Sequence, residues 1–364
     1  MPNGDPTYSR GQINKAGRIL SSSGYPEEAA PGYPEEKITW ALKVLDYWRA
    51  LHSYPMQVFY MRLKTVAKKI DKHALTSQRL KRVYSILAKL RRPYHGRKPT
   101  MELYQMQDIG GCRAVLSNVK LAKKLARDYY IKGELKHKLV GRKDYIDQPK
   151  EDGYRGIHLI YKYNSDKENK KKYNGMLVEV QIRSKLQHLW ATAVETTGLF
   201  TRYALKSSEG SPEWLEFFKL VSSAFARIEK YPIVPDTPRN ERELYLKIAH
   251  MEQSLKVIDK MRGWSHALRI FREQTTKKGE VRFFLLELDI DSKKLTIRTY
   301  TKKEEQKALD EYAVLENKYR GRKEYDVVLV GVAAAHDLEN AYPNYYADTN
   351  EFLEHLTKIT RKYN

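Results

Sequence analysis

The sequence predicts an α+β protein in which helices flank a mixed β-sheet, followed by a second, smaller α/β domain. Segments with helical and with strand periodicity follow one another in mixed order over residues 38–199, which favours a sheet flanked by helices. Three prolines within residues 231–238 mark a linker. The same mixed order resumes beyond it, and 364 residues suit two domains, since one domain usually holds about 150.

Periodicity and turn residues assign the elements in chain order. Residues 1–40 are rich in Gly, Pro and Ser and contain Tyr-Pro-Glu-Glu twice, which predicts a flexible arm. The first domain, residues 41–230, has an extended piece near 79–81, helical patterns at 38–51, 64–72, 84–92, 121–130 and 186–199, a loop at 141–153, and strand patterns at 109–116, 158–163 and 177–183. The second domain, residues 239–364, has a predicted hairpin at 281–289 and 295–301, a strand at 325–333, and helices at 241–261, 304–319 and 350–361, the last capped by Asp348 or Thr349.

Charge is concentrated in the first part of the chain. The net charge is +22, and residues 1–230 hold 43 Lys and Arg against 23 Asp and Glu. Such asymmetry indicates contact with a polyanion through that part. The lone Cys112 excludes a disulfide framework and a Cys-based zinc site. No apolar run approaches the roughly 20 residues of a membrane span, so we expect a cytoplasmic protein with no membrane partner.

Residues 177–183 carry the clearest chemical pattern. The alternation of a strand puts Val178 and Val180 on one face, and Glu179, Gln181 and Arg183 on the other. A carboxylate can bind Mg²⁺ and a guanidinium can bind phosphate, so this second face suits nucleoside triphosphate chemistry. An ordinary half-exposed strand would show the same alternation.

Further charged residues precede strands or lie in loops. Asp108 and Arg113 fall on opposite faces of a regular strand, unless Gly110 and Gly111 form a bulge or Asp108 lies before the strand. Other candidates share one face of an extended or helical segment, or lie in a basic loop: Arg79 with Lys81, Ser85 with Lys89, and Arg142, Lys143 and Lys150. Tyr154, in a Gly-Tyr-Arg-Gly turn, can present its ring for base stacking.

Together these motifs resemble the RelA/SpoT synthetase family over about residues 55–230. The resemblance lies in Arg-x-Lys-x-x-x-Ser at 79–85, the stretch 108–113, Lys143-Asp-Tyr-Ile, Gly153-Tyr154, His158, and Glu179-Val-Gln-Ile-Arg. It implies a nucleotidyltransferase-like fold and an Mg²⁺-dependent pyrophosphokinase. Such an enzyme moves the β,γ-diphosphate of ATP to a ribose hydroxyl and releases AMP.

The resemblance also implies roles for single residues. Asp108 and Glu179 would hold Mg²⁺, and Glu179 is also a candidate base for the acceptor hydroxyl. The implied ATP-binding residues are Arg79, Lys81, Ser85, Lys89, Arg113, Arg142 and Lys143. The implied acceptor-binding residues are Lys150, Tyr154, His158, Gln181 and Arg183.

The sequence departs from the pattern of the long RelA/SpoT enzymes. Its acceptor loop reads Gly-Tyr-Arg-Gly where they have Gly-Tyr-Gln-Ser, which argues against guanine-nucleotide recognition, and we expect no hydrolase domain before the synthetase. The helix at 187–195 resembles the toxic branch of small alarmone synthetases, which modifies the 3′ CCA end of tRNA and stops translation. A tRNA acceptor also explains the basic first domain better than a small nucleotide does.

The second domain resembles the antitoxin half of CapRel-type fusions, a zinc-finger-like domain that has lost its metal. In that family a Tyr-x-x-Tyr motif covers the ATP site until a phage protein binds, and Tyr342 and Tyr345 match it. The resemblance therefore implies an autoinhibited toxin in phage defence, with no zinc. Two alternatives stay open: a (p)ppGpp synthetase that uses GDP or GTP as acceptor, and a catalytically dead nucleotide- or RNA-binding module.

Overall fold

The structure is a computed structural model, and it describes residues 7–23, 34–93, 99–201, 211–277, 281–292, 294–319, 322, 324–332 and 345–363. The chain forms two compact units. The first comprises residues 1–144 and 156–184, and the second comprises residues 145–155 and 185–364. The predicted domain ranges 41–230 and 239–364 stay predictions.

The first unit is built on a mixed sheet, as the sequence predicts, and the sheet has five strands. Its strand order is β1-β2-β5-β4-β3, with β2 and β5 parallel and the other neighbours antiparallel. The strands are β1 (Leu75–Leu80), β2 (Gly110–Leu116), β3 (Lys138–Asp144), β4 (Ile157–Lys162) and β5 (Leu177–Ser184).

Helices flank this sheet. They are α1 (Arg10–Ser22), α2 (Glu35–Ile70), α3 (Val83–Arg91) and α4 (Val119–Lys124), the last continued by a π-helical segment, Leu125–Ile131. Helix α2 lies close to β2, because a Cβ on Gly110 would come within 3.3 Å of the Cβ of His52. The small residue therefore allows the helix to approach that face of the sheet.

Helix α1 lies within the stretch for which the sequence predicts a flexible arm. Ser9 and Gln12 form a capping box, and Ile13 and Leu20 are buried. Arg91 of α3 donates hydrogen bonds to the carbonyl oxygens of Leu20 and Ser21. Residues 10–22 are thus an ordered, packed helix, and the arm prediction does not describe them.

Two further elements of the first unit differ from the prediction. The helices predicted at 38–51 and 64–72 are one helix, α2, with Pro55 inside it. A proline disrupts an isolated helix, but Pro55 is buried in this one. Strand β3 occupies part of the predicted loop 141–153 and lies at the edge of the sheet, where exposed charged residues hide the alternation.

The second unit contains helices and a small antiparallel sheet. The helices are α5 (Lys185–Thr201), α6 (Pro212–Glu229), α7 (Glu241–Leu255), α8 (Val257–Lys277), α9 (Glu305–Lys318) and α10 (Tyr345–Arg361). The strands are β6 (Val281–Asp289), β7 (Lys294–Thr301) and β8 (Tyr325–Gly331), in the order β7-β6-β8. The register of β6 with β7 confirms the predicted hairpin.

Helices on both sides of the predicted linker share one hydrophobic core. Trp190 of α5, Phe217 of α6, Trp264 of α8 and Phe352 of α10 belong to a single buried cluster. A chain cut near residue 230 would therefore expose the apolar faces of α5 and α6.

Two predicted helix boundaries in this unit are wrong. The helix predicted at 241–261 breaks at Lys256, which has a left-handed φ of 55°. Helix α10 begins at Tyr345, so Asp348 is not its cap but lies in its first turn, buried. Among the described residues, no helix is both long and apolar enough to cross a membrane.

The shared core predicts a large effect of truncation at its centre. Phe352→Ala should lower the free energy of unfolding by about 3–5 kcal/mol, because it removes a fully buried ring and leaves a cavity. Urea unfolding followed by tryptophan fluorescence measures it, since Trp190 and Trp264 lie in the same cluster. Val314→Ala on α9, where the side chain is 65% exposed, is the matched control; an equal loss in both variants would contradict the shared core.

Candidate active site

One face of the five-stranded sheet gathers most of the predicted site residues. In the register of the sheet, Gln181 of β5 is paired with His158 of β4 and with Arg113 of β2. Paired residues point to the same side of a sheet, so Arg113, His158 and Gln181 share a face with Glu179. Val178 and Val180 are buried on the opposite face, which confirms the predicted alternation.

Asp108 precedes β2, which begins at Gly110 and pairs with β1 and β5 without a bulge. This placement resolves the parity conflict with Arg113. The amide of Lys81 donates a 2.7 Å hydrogen bond to the carbonyl oxygen of Ile109. Because that bond extends the pairing beyond the end of β1, it brings the Lys81 side chain next to Asp108.

Two ammonium groups hold the Asp108 carboxylate. Lys81 Nζ lies 3.0 Å from Oδ2, and Lys89 Nζ lies 2.9 Å from Oδ1. The Asp108 side chain is 20% exposed. Burial raises the pKa of Asp108, but the charges and hydrogen bonds of the two lysines outweigh burial and lower the pKa below its usual value. Asp108 is therefore an anion at neutral pH.

A histidine ring and a side-chain amide on the same face of the sheet bond the Glu179 carboxylate. His158 Nδ1 lies 2.8 Å from Oε1, and Gln181 Nε2 donates a 2.6 Å bond to Oε2. Arg183 in turn donates a 3.3 Å bond to the amide oxygen of Gln181. Burial raises the pKa of Glu179, but the contacts with His158 and Gln181 outweigh it, and the net pKa is lowered.

The two carboxylates are electrostatically coupled. The negative charge of Asp108 raises the pKa of Glu179, and Glu179 is the register partner of Gly111, three residues after Asp108. Magnesium in nucleotide enzymes commonly takes one or two carboxylates plus substrate phosphates and water. The donor set formed by Asp108 and Glu179 fits that requirement. Among the described residues, no group of three or more His, Cys, Asp or Glu side chains forms a self-sufficient metal site.

The remaining ATP-binding candidates divide between the two faces. Arg79 pairs with Gly111 and Lys143 pairs with His158, so both lie on the face of Glu179. Ser85 lies one helical turn before Lys89 on α3, and both are half-buried. Arg142 pairs with Leu159 and therefore lies on the opposite face, with its guanidinium 3.7 Å from Asp144. The register separates Arg142 from the other candidates.

Two acceptor-binding candidates lie in a loop that belongs to the second unit. Lys150 and Tyr154 are in segment 145–155. The Lys150 ammonium lies 5.0 Å from the ring centre of Tyr145 and 5.3 Å from that of Tyr154. This cluster of two rings and a cation has the chemistry for stacking on a base and for phosphate contact.

The predicted autoinhibitory tyrosines lie largely outside the described residues. Tyr342 is outside them, and Tyr345 is described only as the first residue of α10. One turn further along α10, the Asp348 carboxylate lies 2.7 Å from Lys185 Nζ and 3.0 Å from His188 Nε2 of α5. Sequence reasoning missed this buried ion-pair cluster, because the partners are about 160 positions apart.

Cys112 has no chemical role at this site. It is buried on the face of β2 opposite Glu179. Burial, and to a smaller extent the charge of Glu179, raises the pKa of the thiol far above its usual value. The group therefore stays protonated and unreactive.

Comparisons with known proteins identify related chains. Residues 78–202 match the region found in RelA / SpoT proteins. Over 162 residues the chain is 30% identical to the GTP pyrophosphokinase YjbM of Bacillus subtilis (strain 168), covering 42% of this chain and 70% of that protein. The chain is also similar to the crystal structure of the small alarmone synthetase 1 from Bacillus subtilis, with 26% sequence identity and a TM-score of 0.42. The match covers 51% of this chain and 92% of that one. A GTP pyrophosphokinase family protein from Streptococcus pneumoniae is 20% identical, with a TM-score of 0.41, coverage being 51% and 89%.

The lysine pair around Asp108 predicts a pH-dependent stability. Because the folded state lowers the pKa of Asp108, its contribution is complete above the ordinary carboxyl pKa of about 4 and is lost as the pH falls below it. Asp108→Asn should therefore cost about 1–2 kcal/mol of unfolding free energy at pH 7. The difference from wild type should shrink towards pH 3, as measured by urea unfolding. Asp46→Asn, at a side chain that is 68% exposed, should leave the midpoint unchanged at both pH values; a constant deficit for Asp108→Asn would contradict the assignment.

Proposed function

This chain belongs to the RelA/SpoT family and is a pyrophosphokinase, and we propose that it transfers the β,γ-diphosphate of ATP to the 3′ CCA end of tRNA. The product cannot be aminoacylated normally, so the enzyme would block translation as a toxin. The observation that carries the chemistry is the coupled pair Asp108 and Glu179 on a face lined with cations.

The proposed reaction is a displacement at the β-phosphorus of ATP. The acceptor hydroxyl oxygen bonds to that phosphorus, the bond to the oxygen bridging the α- and β-phosphates breaks, AMP leaves with that oxygen, and the hydroxyl proton passes to the solvent. Catalysis of such a step is mainly positioning and stabilisation of charge on the phosphoryl oxygens. The cations of the sheet face, Lys81, Lys89, Arg79 and Arg113, supply that stabilisation.

Asp108 and Glu179 would hold Mg²⁺, which when bound neutralises negative charge on the phosphates. Both oxygens of Glu179 are hydrogen-bonded on the sheet face, and its lowered pKa keeps the carboxylate charged, as a cation ligand requires. We therefore assign Glu179 the ligand role. His158 and Gln181, which bond its two oxygens, orient it.

The distribution of charge favours tRNA as the acceptor. In the register of β3 and β4, the exposed residues Lys138 and Lys162 lie directly opposite each other, an unfavourable arrangement unless an anion neutralises it. Three consecutive lysines, residues 170–172, lie in the connection between β4 and β5. Small nucleotides need few such charges, whereas a nucleic acid backbone gains affinity from each one.

A second candidate acceptor is a guanine nucleotide. The relative YjbM is a GTP pyrophosphokinase by name, and a (p)ppGpp synthetase would use the same ATP-binding face. In that case the ring of Tyr154 would stack on guanine instead of a base of the CCA end. The two acceptors are distinguished by a transfer assay.

We also propose that the C-terminal domain, residues 239–364, is an antitoxin that restrains the enzyme until a phage protein binds to it. The proposal is supported by the resemblance of Tyr342-Pro-Asn-Tyr345 to the motif of CapRel-type fusions and of the domain to a zinc finger without metal. In this mechanism the tyrosine motif competes with ATP, and the phage trigger relieves the competition.

The acceptor is tested with ATP labelled at the γ-phosphate. Label should move to intact tRNA and not to tRNA that lacks its terminal adenosine, because the proposed nucleophile is a hydroxyl of that nucleotide. GTP and GDP are tested in parallel, and the full chain is used as wild type and as Tyr345→Ala to remove the proposed restraint.

The control variant for this assay is Glu179→Gln, which keeps the shape of the side chain and removes its charge. It should lower transfer at least about 10³-fold, because the cation site loses one of its two anions. Label on GTP or GDP instead of tRNA would support the alarmone synthetase, and full toxicity of Glu179→Gln in cells would support a non-catalytic binding module.

The restraint is tested separately in growing cells. Tyr345→Ala should be toxic without any trigger, because the proposed motif loses a ring that blocks the ATP site. Tyr345→Phe keeps the ring and should remain non-toxic, and the double variant Tyr345→Ala/Glu179→Gln should also grow normally. Normal growth and normal translation rates of Tyr345→Ala would show that this tyrosine does not restrain the enzyme.

A further inference from the structure

Loop 145–155 connects β3 and β4 of the five-stranded sheet, but it belongs to the second unit. Within that unit, Gly153 lies against α5 and α6: a Cβ at this position would come within 3.0 Å of the Trp190 ring and 3.3 Å of the Lys219 backbone. Its φ of 92° is also a conformation that favours glycine. Ser222 of α6 donates a hydrogen bond to the Gly153 carbonyl oxygen. The loop is thus fitted to one place on α6.

Arg155, two residues after Gly153, makes further contacts that hold the loop. Its side chain is buried, with the residue 3% exposed. The guanidinium donates to the carbonyl oxygen of Ile146 at 3.2 Å, to Ser222 Oγ at 3.3 Å, and to the carbonyl oxygen of Pro232. One planar cation therefore joins the start of the loop, its end, helix α6 and the linker.

The linker is itself fixed to the same turn of α6. Ser223 Oγ accepts a 3.0 Å hydrogen bond from the Val234 amide and lies 2.8 Å from Thr237 Oγ1. Val234 is fully buried. Ser222 holds the acceptor loop while its neighbour Ser223 holds the linker, so the two segments share one anchoring point.

We propose that Arg155 is a positioning residue that sets the orientation of Tyr154 towards the acceptor by fixing loop 145–155 to α6 and to Pro232. This inference rests on the proposed role of Tyr154 in acceptor binding. Tyr154 lies between Gly153 and Arg155, both immobilised, and its amide is further held by Asp152 Oδ1 at 2.8 Å. The backbone that carries the ring is therefore held before any acceptor arrives, which lowers the ordering cost of binding.

The buried position of Arg155 also explains the Gly-Tyr-Arg-Gly sequence of the loop. A guanidinium offers five donors in a fixed plane, and here it reaches two carbonyl oxygens and a hydroxyl. The three contacts are made by three different nitrogens of the guanidinium, whereas lysine has all its donors on one nitrogen and cannot reproduce this spacing. In this proposal the arginine of Gly-Tyr-Arg-Gly anchors the loop and does not bind the acceptor.

The test is steady-state kinetics of the full chain in the Tyr345→Ala background, with whichever acceptor the chain uses. Arg155→Met, which keeps the apolar stem, should raise the acceptor KM roughly tenfold or more, since a misplaced group can cost up to about 10²-fold. The KM for ATP should stay within about twofold. Arg155→Lys should be intermediate, and Ser222→Ala should shift the acceptor KM in the same direction.

Arg127→Met, at an exposed arginine paired with Asp128, is the matched control and should leave both KM values unchanged. Unfolding curves show whether each variant is folded. Folded Arg155→Met with an unchanged acceptor KM, or with equal rises in both KM values, would overturn the proposal. Acceptor identity tests the tRNA proposal separately: transfer to GTP instead of tRNA would refute that function, while the KM comparison would still decide the role of Arg155.

Discussion

The site depends on keeping two carboxylates ionised on a partly buried sheet face. Burial raises the pKa of Asp108 and of Glu179, and different groups lower it again: two lysine ammonium groups at Asp108, and a histidine and an amide at Glu179. The positions of Lys81 and Lys89 follow from the pairing beyond β1 and from α3. In the proposed mechanism a cation held by Asp108 would share or displace these partners, which would leave the lysines to bind phosphates.

The candidate site residues are divided between two compact units. The ATP-binding candidates on the sheet belong to the first unit, whereas Lys150 and Tyr154 belong to the second. The second unit is also where the linker and α10 are packed. An acceptor loop built on the same core as the C-terminal helices gives a proposed antitoxin domain a route to acceptor binding, in addition to competition with ATP.

Sequence periodicity predicted the strands whose buried and exposed residues alternate regularly along the chain. Strand β5 was readable because one face is buried and the other polar, and the hairpin of β6 and β7 because alternation continues on both sides of a turn. Edge strand β3 could not be recognised from the sequence, since both of its faces are largely exposed. The break at Lys256 was missed because a left-handed lysine carries no sequence signal. The anchor between Arg155 and Ser222 joins residues 67 positions apart, which no local pattern predicts.

The structure also changes which residues bear on acceptor choice. The arginine of Gly-Tyr-Arg-Gly departs from the sequence of the long RelA/SpoT enzymes, but its side chain is buried and bonded to Ile146, Ser222 and Pro232. The argument for tRNA therefore depends on charge. Lys138 and Lys162 are exposed and lie opposite each other on β3 and β4, an arrangement of like charges that bound phosphates would stabilise. A guanine nucleotide bound at Tyr154 would gain little from lysines spread along a strand edge, whereas the backbone of an RNA stem can contact several of them.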